Sequence, residues 1–516
     1  MMANYNKILI IDGYNDEPGG LGVPPYIDVY PRYISGAIWS VYESLRIDYV
    51  TVDAFRNKQW ISRANNYDLL IFIAGVVVPG KYIGGKPATG EELSLWARLI
   101  KNPFKVLVGP AAKWGIGEGG KKAFSPINFK KAGFDVLVTG DPELYFYEFL
   151  KYGESYAAPY KIRGNYDQVD KFSIKGAKII KQHPNYGKNL IIEIETYRGC
   201  ARWISGGCSY CVEPLRGKPI DRKVEGIVNE ISALYKNGGR AFRLGRQADI
   251  LVYGSKTLGE EEWPVPEPET IEKLFYGIRF YAPNLNVLHI DNVNPGTISR
   301  HPNESLLALT KIVKYHTPGD VAAFGIESLD PKVIKINNLK VQYEDAIKSI
   351  EIVNKIGRQI GYNGLPEILP GINFILGLPG ESKETYYYNK KFLQDLLSKK
   401  LLVRRVNIRN LLVIEATKVS KMKFKIDRQE PLEKSFKYFV RKKFDPAMLS
   451  LIAPNGTILK DLWIEGCENE YCLARQVGSY PLMVIVKKKY PKLSFIRSIR
   501  IIGVHSARAL EGIPLE

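Results

Sequence analysis

The sequence predicts an α/β chain in three parts. A doubly wound Rossmann-like domain comes first, then an open partial barrel of six β/α units, then a small antiparallel β-barrel. Three observations carry this expectation. Short apolar runs alternate with helical patterns over residues 1–150, and the alternation restarts near residue 187 and runs through six units. Residues 430–516 then change to β-rich segments parted by turn residues. At 516 residues the chain is too long for one ordinary core.

In residues 1–150, "KILIIDGYN" (7–15), "YDLLIFIAG" (67–75), "FKVLVGP" (104–110) and "FDVLVTGD" (134–141) read as buried parallel strands. Each enters a glycine-bearing loop, and helical stretches such as "GEELSLWARLI" (90–100) lie between them. Ligands of such sheets bind beyond the carboxyl ends of the strands. Residues 151–186 are polar and weakly periodic, and are expected as a linker or a wrapping segment.

The second alternation, residues 187–417, offers the strands "NLIIEIETY", "AFRLGRQ", "VLHIDNV", "VAAFGIES", "INFILGLPG" and "RVNIRNLLVIE". A helix is expected after each of the first five. The first places Val224, Ile227, Val228, Ile231 and Leu234 on one face, a core stripe. Six units without closure give an open barrel, whose chemistry belongs at the carboxyl ends of its strands. In the last part, "GTILKDLWIEG", "ARQVGSYPLMVIVKKKYP" and "SIRIIGVHSARALEGIP" suit a small barrel.

Apolar residues make up 45% and charged residues 25%, a globular rather than disordered balance. No apolar run approaches the ~18 residues of a membrane span. The N-terminus "MMANYNKILIIDGYN" lacks the order of a signal peptide, so a cytoplasmic protein is expected. The formal charge is +19. It points to an anionic partner such as RNA, a phosphorylated metabolite or anionic lipid, or else to the Lys-rich surface of a thermophile protein. From Lys418 to Glu516 there are 19 Lys and Arg against 10 Asp and Glu, a net +9.

Three of the five cysteines fall within "ETYRGCARWISGGCSYCVEP" (195–214). Cys200 and Cys208 are parted by seven residues, Cys208 and Cys211 by two. Clustered intracellular cysteines more often bind metal or do chemistry than form disulfides. A structural zinc site wants four closed ligands. His183, the closest histidine, precedes the strand, and only distant Cys467 or Cys472 could complete such a set. A four-iron cluster held by three thiolates instead keeps one iron open.

A three-cysteine loop after the first strand of a six-unit β/α barrel resembles the radical S-adenosylmethionine (SAM) superfamily. Its usual spacing is three residues, then two, with an aromatic before the last cysteine. "CSYC" keeps the second half, with Tyr210 as the aromatic, while the first gap is stretched to seven. "FGIESLDPKVIKINNLK" (324–340) and "NFILGLPGESKET" (373–385) resemble the fourth- and fifth-strand segments of one subgroup. That subgroup holds Elongator-type, methylthiotransferase-type and oxygen-independent coproporphyrinogen-oxidase-type enzymes.

The resemblance implies a [4Fe–4S] cluster on Cys200, Cys208 and Cys211, with SAM on the open iron, Tyr210 against its adenine, and a 5′-deoxyadenosyl radical as product of one-electron cleavage. It also implies an electron donor such as ferredoxin or flavodoxin. The superfamily's second strand ends in Gly-Gly-Glu, whereas "RLGRQADI" (243–250) lacks the glutamate. Gly245 would allow backbone approach, and Gln247 or Asp249 would supply an acceptor. Arg243 and Arg246 would bind a carboxylate or form salt bridges. Glu327 and Ser328 would reach the ribose or carboxylate, or else hydrogen-bond within the barrel. Asn407, Asp291, Asn292 and Asn294 are further candidates of that type, and His289, alone on an apolar strand, reads as a core residue.

Two settings join an α/β domain to such a barrel. One is the cobalamin-dependent radical enzymes. "GDPELYFYEFL" (140–150), with Glu143 at the acidic position, resembles the closing helix of their N-terminal domain. Residues 1–182 contain no histidine to serve as a lower cobalt ligand, and cobalamin stays open as a second cofactor. The other is the methylthiotransferases of transfer RNA, whose terminal RNA-binding TRAM/OB-like barrel residues 430–516 resemble. Those enzymes carry a second cysteine triad, but no cysteine precedes Cys200 here.

Cys467 and Cys472 read as a disulfide, inert thiols or a partial metal site. The expected function is radical modification of an RNA nucleotide. The alternatives are cobalamin-assisted methylation or carbon–carbon bond formation on a lipid or metabolite, and a metal-containing nucleic-acid-binding protein without catalysis. The stretched gap "ARWISGG" is expected to arch over the cluster, with Gly206 and Gly207 turning the chain back toward Cys208.

Overall fold

A computed structural model describes residues 5–14, 25–76, 85–424 and 429–515. The glycine-bearing loops expected after "KILIIDGYN" and "YDLLIFIAG" lie largely outside the described residues.

Six strands fall in the first 150 residues: β1 (Lys7–Asp12), β2 (Tyr26–Ile27), β3 (Arg46–Thr51), β4 (Leu69–Ile73), β5 (Phe104–Val108) and β6 (Val136–Leu137). Five form a parallel sheet in the order β3-β1-β4-β5-β6. Central β4 is buried along its whole length, because helices cover both faces. β3, absent from the sequence reading, is an edge strand whose Arg46 and Asp48 interrupt its apolar pattern. Asp12 ends β1 in the core. It accepts hydrogen bonds from the Tyr49 hydroxyl (2.7 Å) and the Tyr14 backbone N–H (2.9 Å), and burial raises its pKa to about 7.

Residues 151–186 wrap the first domain rather than serve as a linker. They fold into a helix, Asp167–Gly176, and a 3₁₀ stretch, Ala177–Gln182, packed on the helix Val29–Val41. Val169, Phe172, Ile179 and Ile180 are buried there. The crossing is close enough that a Cβ on Gly36 would overlap the Phe172 carbonyl oxygen, and one on Gly176 the Arg32 carbonyl oxygen. A pair of glycines 140 positions apart leaves no local periodicity to read.

The middle of the chain holds β7 (Ile191–Ile194), β8 (Tyr197–Arg198), β9 (Ile220–Asp221), β10 (Ala241–Leu244), β11 (Val287–Ile290), β12 (Asn292–Val293), β13 (Asp320–Glu327), β14 (Ile368–Leu376) and β15 (Arg405–Asn410). Two four-stranded parallel sheets, β2-β7-β10-β11 and β12-β13-β14-β15, meet at Asp291, where the third barrel strand breaks. Together they make an open arc of six β/α units, with β2 added beside β7. Short β8 and β9 pair antiparallel at the neck of the cysteine loop.

At the C-terminus, residues 430–452 are helical rather than part of the expected barrel: Glu430–Phe439, a π turn Val440–Phe444, then Asp445–Ile452. A closed barrel follows, built from β16 (Ile458–Glu468), β17 (Tyr471–Gln476), β18 (Met483–Val486), β19 (Phe495–Ser506) and β20 (Ala509–Leu515), in the order β16-β17-β18-β20-β19. It is not wholly antiparallel, since β18 and β20 run parallel. A closed ring of five strands cannot alternate direction at every seam. Cys467 and Cys472 face each other on β16 and β17 and are disulfide-bonded. They are therefore not available as ligands for the cysteine loop. No helix of the described residues is long and apolar enough to cross a membrane.

Asp12 supplies a pH test. Between an unfolded value near 3.8 and a folded value of about 7, the unfolded chain releases this proton while the folded chain keeps it. Wild-type stability therefore falls as pH rises through that window and levels off above it. Asp12→Asn lacks the slope, so its stability relative to wild type should rise from pH 5 to pH 8 by on the order of 2 kcal/mol, read by urea unfolding. A pH-independent difference would contradict the buried carboxyl.

Candidate active site

The cysteine loop leaves the carboxyl end of β7. The β8–β9 ladder pairs Tyr197 with Asp221 and Arg198 with Ile220, so the chain departs and returns at one place. Just past this neck a 3₁₀ turn, Ala201–Trp203, begins the seven-residue gap. Gly206 (φ 74°) and Gly207 (φ 61°) reverse it into Cys208. A Cβ on Gly207 would overlap the Pro214 ring, so that bend requires glycine.

The gap is fastened at several points. Arg202 is 2% exposed, and its Nε donates to Glu262 at 2.9 Å. The Ser205 hydroxyl donates to the same carboxylate, and the Trp203 indole N–H donates to the Gly259 carbonyl. Lys418 donates to the Ser205 carbonyl oxygen, and the Asn338 amide to that of Gly207. Arg202 also directs Nη1 to the Cys208 sulfur at 3.2 Å.

The three thiols are unbridged, with Cys208 buried and Cys200 and Cys211 half-buried. Burial pushes Cys200 up to about 11 and raises Cys211 well above a free thiol; Cys208 adds to the rise at Cys200, and Cys208 and Cys200 add to it at Cys211. The cations Arg202 and Lys340 oppose that rise at Cys200. Burial works against the Lys340 ammonium, yet Cys208, Glu327 and Cys211 hold it above its usual value. Among the described residues no group of three or more Cys, His, Asp or Glu is arranged to hold a metal ion.

Tyr210 turns its hydroxyl to Glu327, whose carboxyl is raised by burial and lowered by Lys340 and Tyr210. Glu327 stands at φ 67°, beyond a bulge at the end of β13. Lys340 reaches it at 3.7 Å and donates to the Gly325 carbonyl at 3.2 Å. A Cβ on Gly325 would overlap the Lys340 Nζ, so the glycine admits the lysine. Ser328 turns inward, its hydroxyl accepting from the Asp330 N–H. Neighbouring Ser209 is tied to Asn337 through both backbone and side chain.

On the other side, Gly245 makes room for Glu193, since a Cβ there would overlap the carboxylate. Glu193 also accepts from Arg243 Nε at 2.6 Å. Sequence reasoning passed over Glu193, although a carboxylate inside "NLIIEIETY" is itself a signal. Gln247 is buried, accepting from Thr196 and donating to the Leu244 carbonyl. Asp249 accepts from Thr297 at 2.7 Å, and burial raises it to about 6.

Several other candidates are engaged structurally. Asn294 caps the helix Pro295–Arg300, and Asn292 donates to the Gln247 carbonyl. Asn407 donates to Asn373 on β14. His289 accepts from Ser479 N–H and meets the Thr317 carbonyl, a core residue as expected. Arg246 sits 3.6 Å from Asp28 and over the Tyr30 ring. Glu143 is buried in an ion pair with Arg163, which also binds Glu195, so it joins the first domain to the barrel.

Glu262 is the shared anchor of the gap. Glu262→Ala should speed amide hydrogen exchange across 201–207 by about tenfold or more while leaving the β4 core unchanged. Equal protection in both proteins would show that Glu262 does not hold the loop.

No protein-family model matches the chain. An uncharacterized protein of Methanocaldococcus jannaschii is 42% identical over 98% of this chain and 93% of its own length. The ribosomal protein uS12 methylthiotransferase of Clostridium botulinum is 27% identical over 61% of this chain and 66% of its own. Among solved structures, the radical SAM methyltransferase TsrM of Kitasatospora setae matches with a TM-score of 0.45 at 14% identity, covering 80% of this chain and 75% of that one. The chain belongs to one family with the M. jannaschii protein, and that family lies within the radical SAM superfamily.

Proposed function

We propose that Cys200, Cys208 and Cys211 hold a [4Fe–4S] cluster whose open iron takes SAM, and that the enzyme acts on an RNA nucleotide. The observation that carries the reading is the loop itself. Three unbridged cysteines, Cys208 buried and Cys200 and Cys211 half-buried, share one loop at the carboxyl end of the first barrel strand beside two cations. Arg202 and Lys340 act against burial toward the thiolate form at Cys200, the form that ligation needs.

When bound, the pair of cofactors would supply one-electron cleavage of SAM and a 5′-deoxyadenosyl radical. The chain's own residues prepare the place. Tyr210, Glu327 and Lys340 present polar atoms at the end of β13, and Glu193 stands over Gly245 at the end of β10. Glu193 thus supplies from the first strand the carboxylate that the second strand lacks. The RNA reading rests on the closed, basic C-terminal barrel, where Lys487, Lys488 and Lys489 form a run after β18.

Anaerobic reconstitution should load about four irons per chain, and Cys208→Ala should lose most of them. Stoichiometric zinc in place of iron would overturn the reading. Under reduction, SAM should yield 5′-deoxyadenosine. Bulk transfer RNA should bind with a steep salt dependence, and no affinity at low salt would remove the RNA half.

A further inference from the structure

Away from the cysteines, a small open cleft lies between the start of β15, the helix Asp445–Ile452 and the C-terminal barrel. Arg404, Arg405 and Arg508 line it, with Asp445 as its one lining carboxylate. Arg405 is committed, stacked on the Tyr480 ring at 3.4 Å. Arg404 is different. Its Nε is buried and has no hydrogen-bond partner. Burial, with the neighbouring Arg405 charge, lowers it to about 9. Burial also lowers Arg508, and Asp445 only partly opposes this.

A buried cation without a matched partner costs free energy, and an anion entering the cleft would recover it. The planar guanidinium fork matches the oxygens of a phosphate. The lining also holds apolar side chains: Met448 and Leu449 on the helix, Pro481 and Met483 on the barrel. Thioether side chains adapt to varied apolar shapes.

We infer that this cleft binds a phosphate ester, with the phosphate on Arg404 and Arg508 and the carbon part against Met448 and Met483. Both a free organic phosphate and the phosphodiester of an RNA strand carry this chemistry. The inference does not depend on the RNA reading.

The test uses the full chain with inorganic phosphate and glycerol 3-phosphate, followed by calorimetry at ionic strength matched with chloride. Both should bind saturably and raise the unfolding temperature. Arg404→Gln and Arg508→Gln should each weaken binding about tenfold or more, whereas Lys348→Gln, at an exposed lysine that does not line the cleft, should not. If a short single-stranded RNA loses affinity in the same variants and competes with phosphate, the ligand is a strand. If RNA binding is unchanged, or absent, while glycerol 3-phosphate still binds and responds to the variants, it is a free organic phosphate. The inference is overturned by wild-type protein that phosphate neither binds nor stabilises. It is equally overturned by wild-type affinity in both variants. Should the variants fail to fold, the wild-type comparison of phosphate with chloride decides alone.

Discussion

A ladder of charge crosses the lumen of the open barrel, and the rest of the architecture hangs on it. Glu193 on β7 pairs with Arg243 on β10, and Arg243 lies 3.9 Å from Asp291 at the break between the two sheets. Asp291 accepts from the Tyr480 hydroxyl, delivered by the C-terminal barrel, and Tyr480 carries Arg405 of β15 on its ring. The first strand is thereby connected to the last across a gap that no backbone ladder closes. Removing one member would strand its neighbour in a site without water, at about 3–5 kcal/mol. The same ladder sets Glu193 over Gly245, so the cofactor end of the lumen and its base are parts of one electrostatic unit.

The cysteine loop shows how a lengthened gap keeps its geometry. Seven free residues would lose more conformational entropy on ordering than three, at roughly 1–2 kcal/mol for each backbone position. Here Glu262, Lys418, Asn338 and Gly259 each hold a different point of the gap. Within the gap so fastened, Arg202, a buried cation, lies at the Cys208 sulfur.

What the sequence reveals here is what short-range pattern encodes. Apolar runs of parallel strands, the helical stripe at 224–234 and the cysteine spacing are all local, and each is found where it was read. Gly36 with Gly176, Gly245 with Glu193, and Gly325 with Lys340 were not legible, because in each the glycine is defined by an atom elsewhere in the chain. The polar residues at 151–186 suggested a linker because the buried Val169 and Phe172 are few, and what they pack on lies far upstream. Asn407, Gln247 and Ser328 were chosen for polarity near strand ends. Their hydrogen bonds to Asn373, Thr196 and Asp330 were beyond any reading of one segment.

β2 is only two residues long, yet it belongs to the barrel while the helix it leads into belongs to the first domain. Arg32 of that helix is fully buried, pairs with Glu230 and donates to the Glu193 carbonyl. The first domain and the barrel are therefore interleaved rather than joined end to end. A fragment cut between them would bare the backbone groups of β7 that Tyr26 and Ile27 cover, an unprotected edge prone to pairing with other chains. The catalytic barrel is not a removable module.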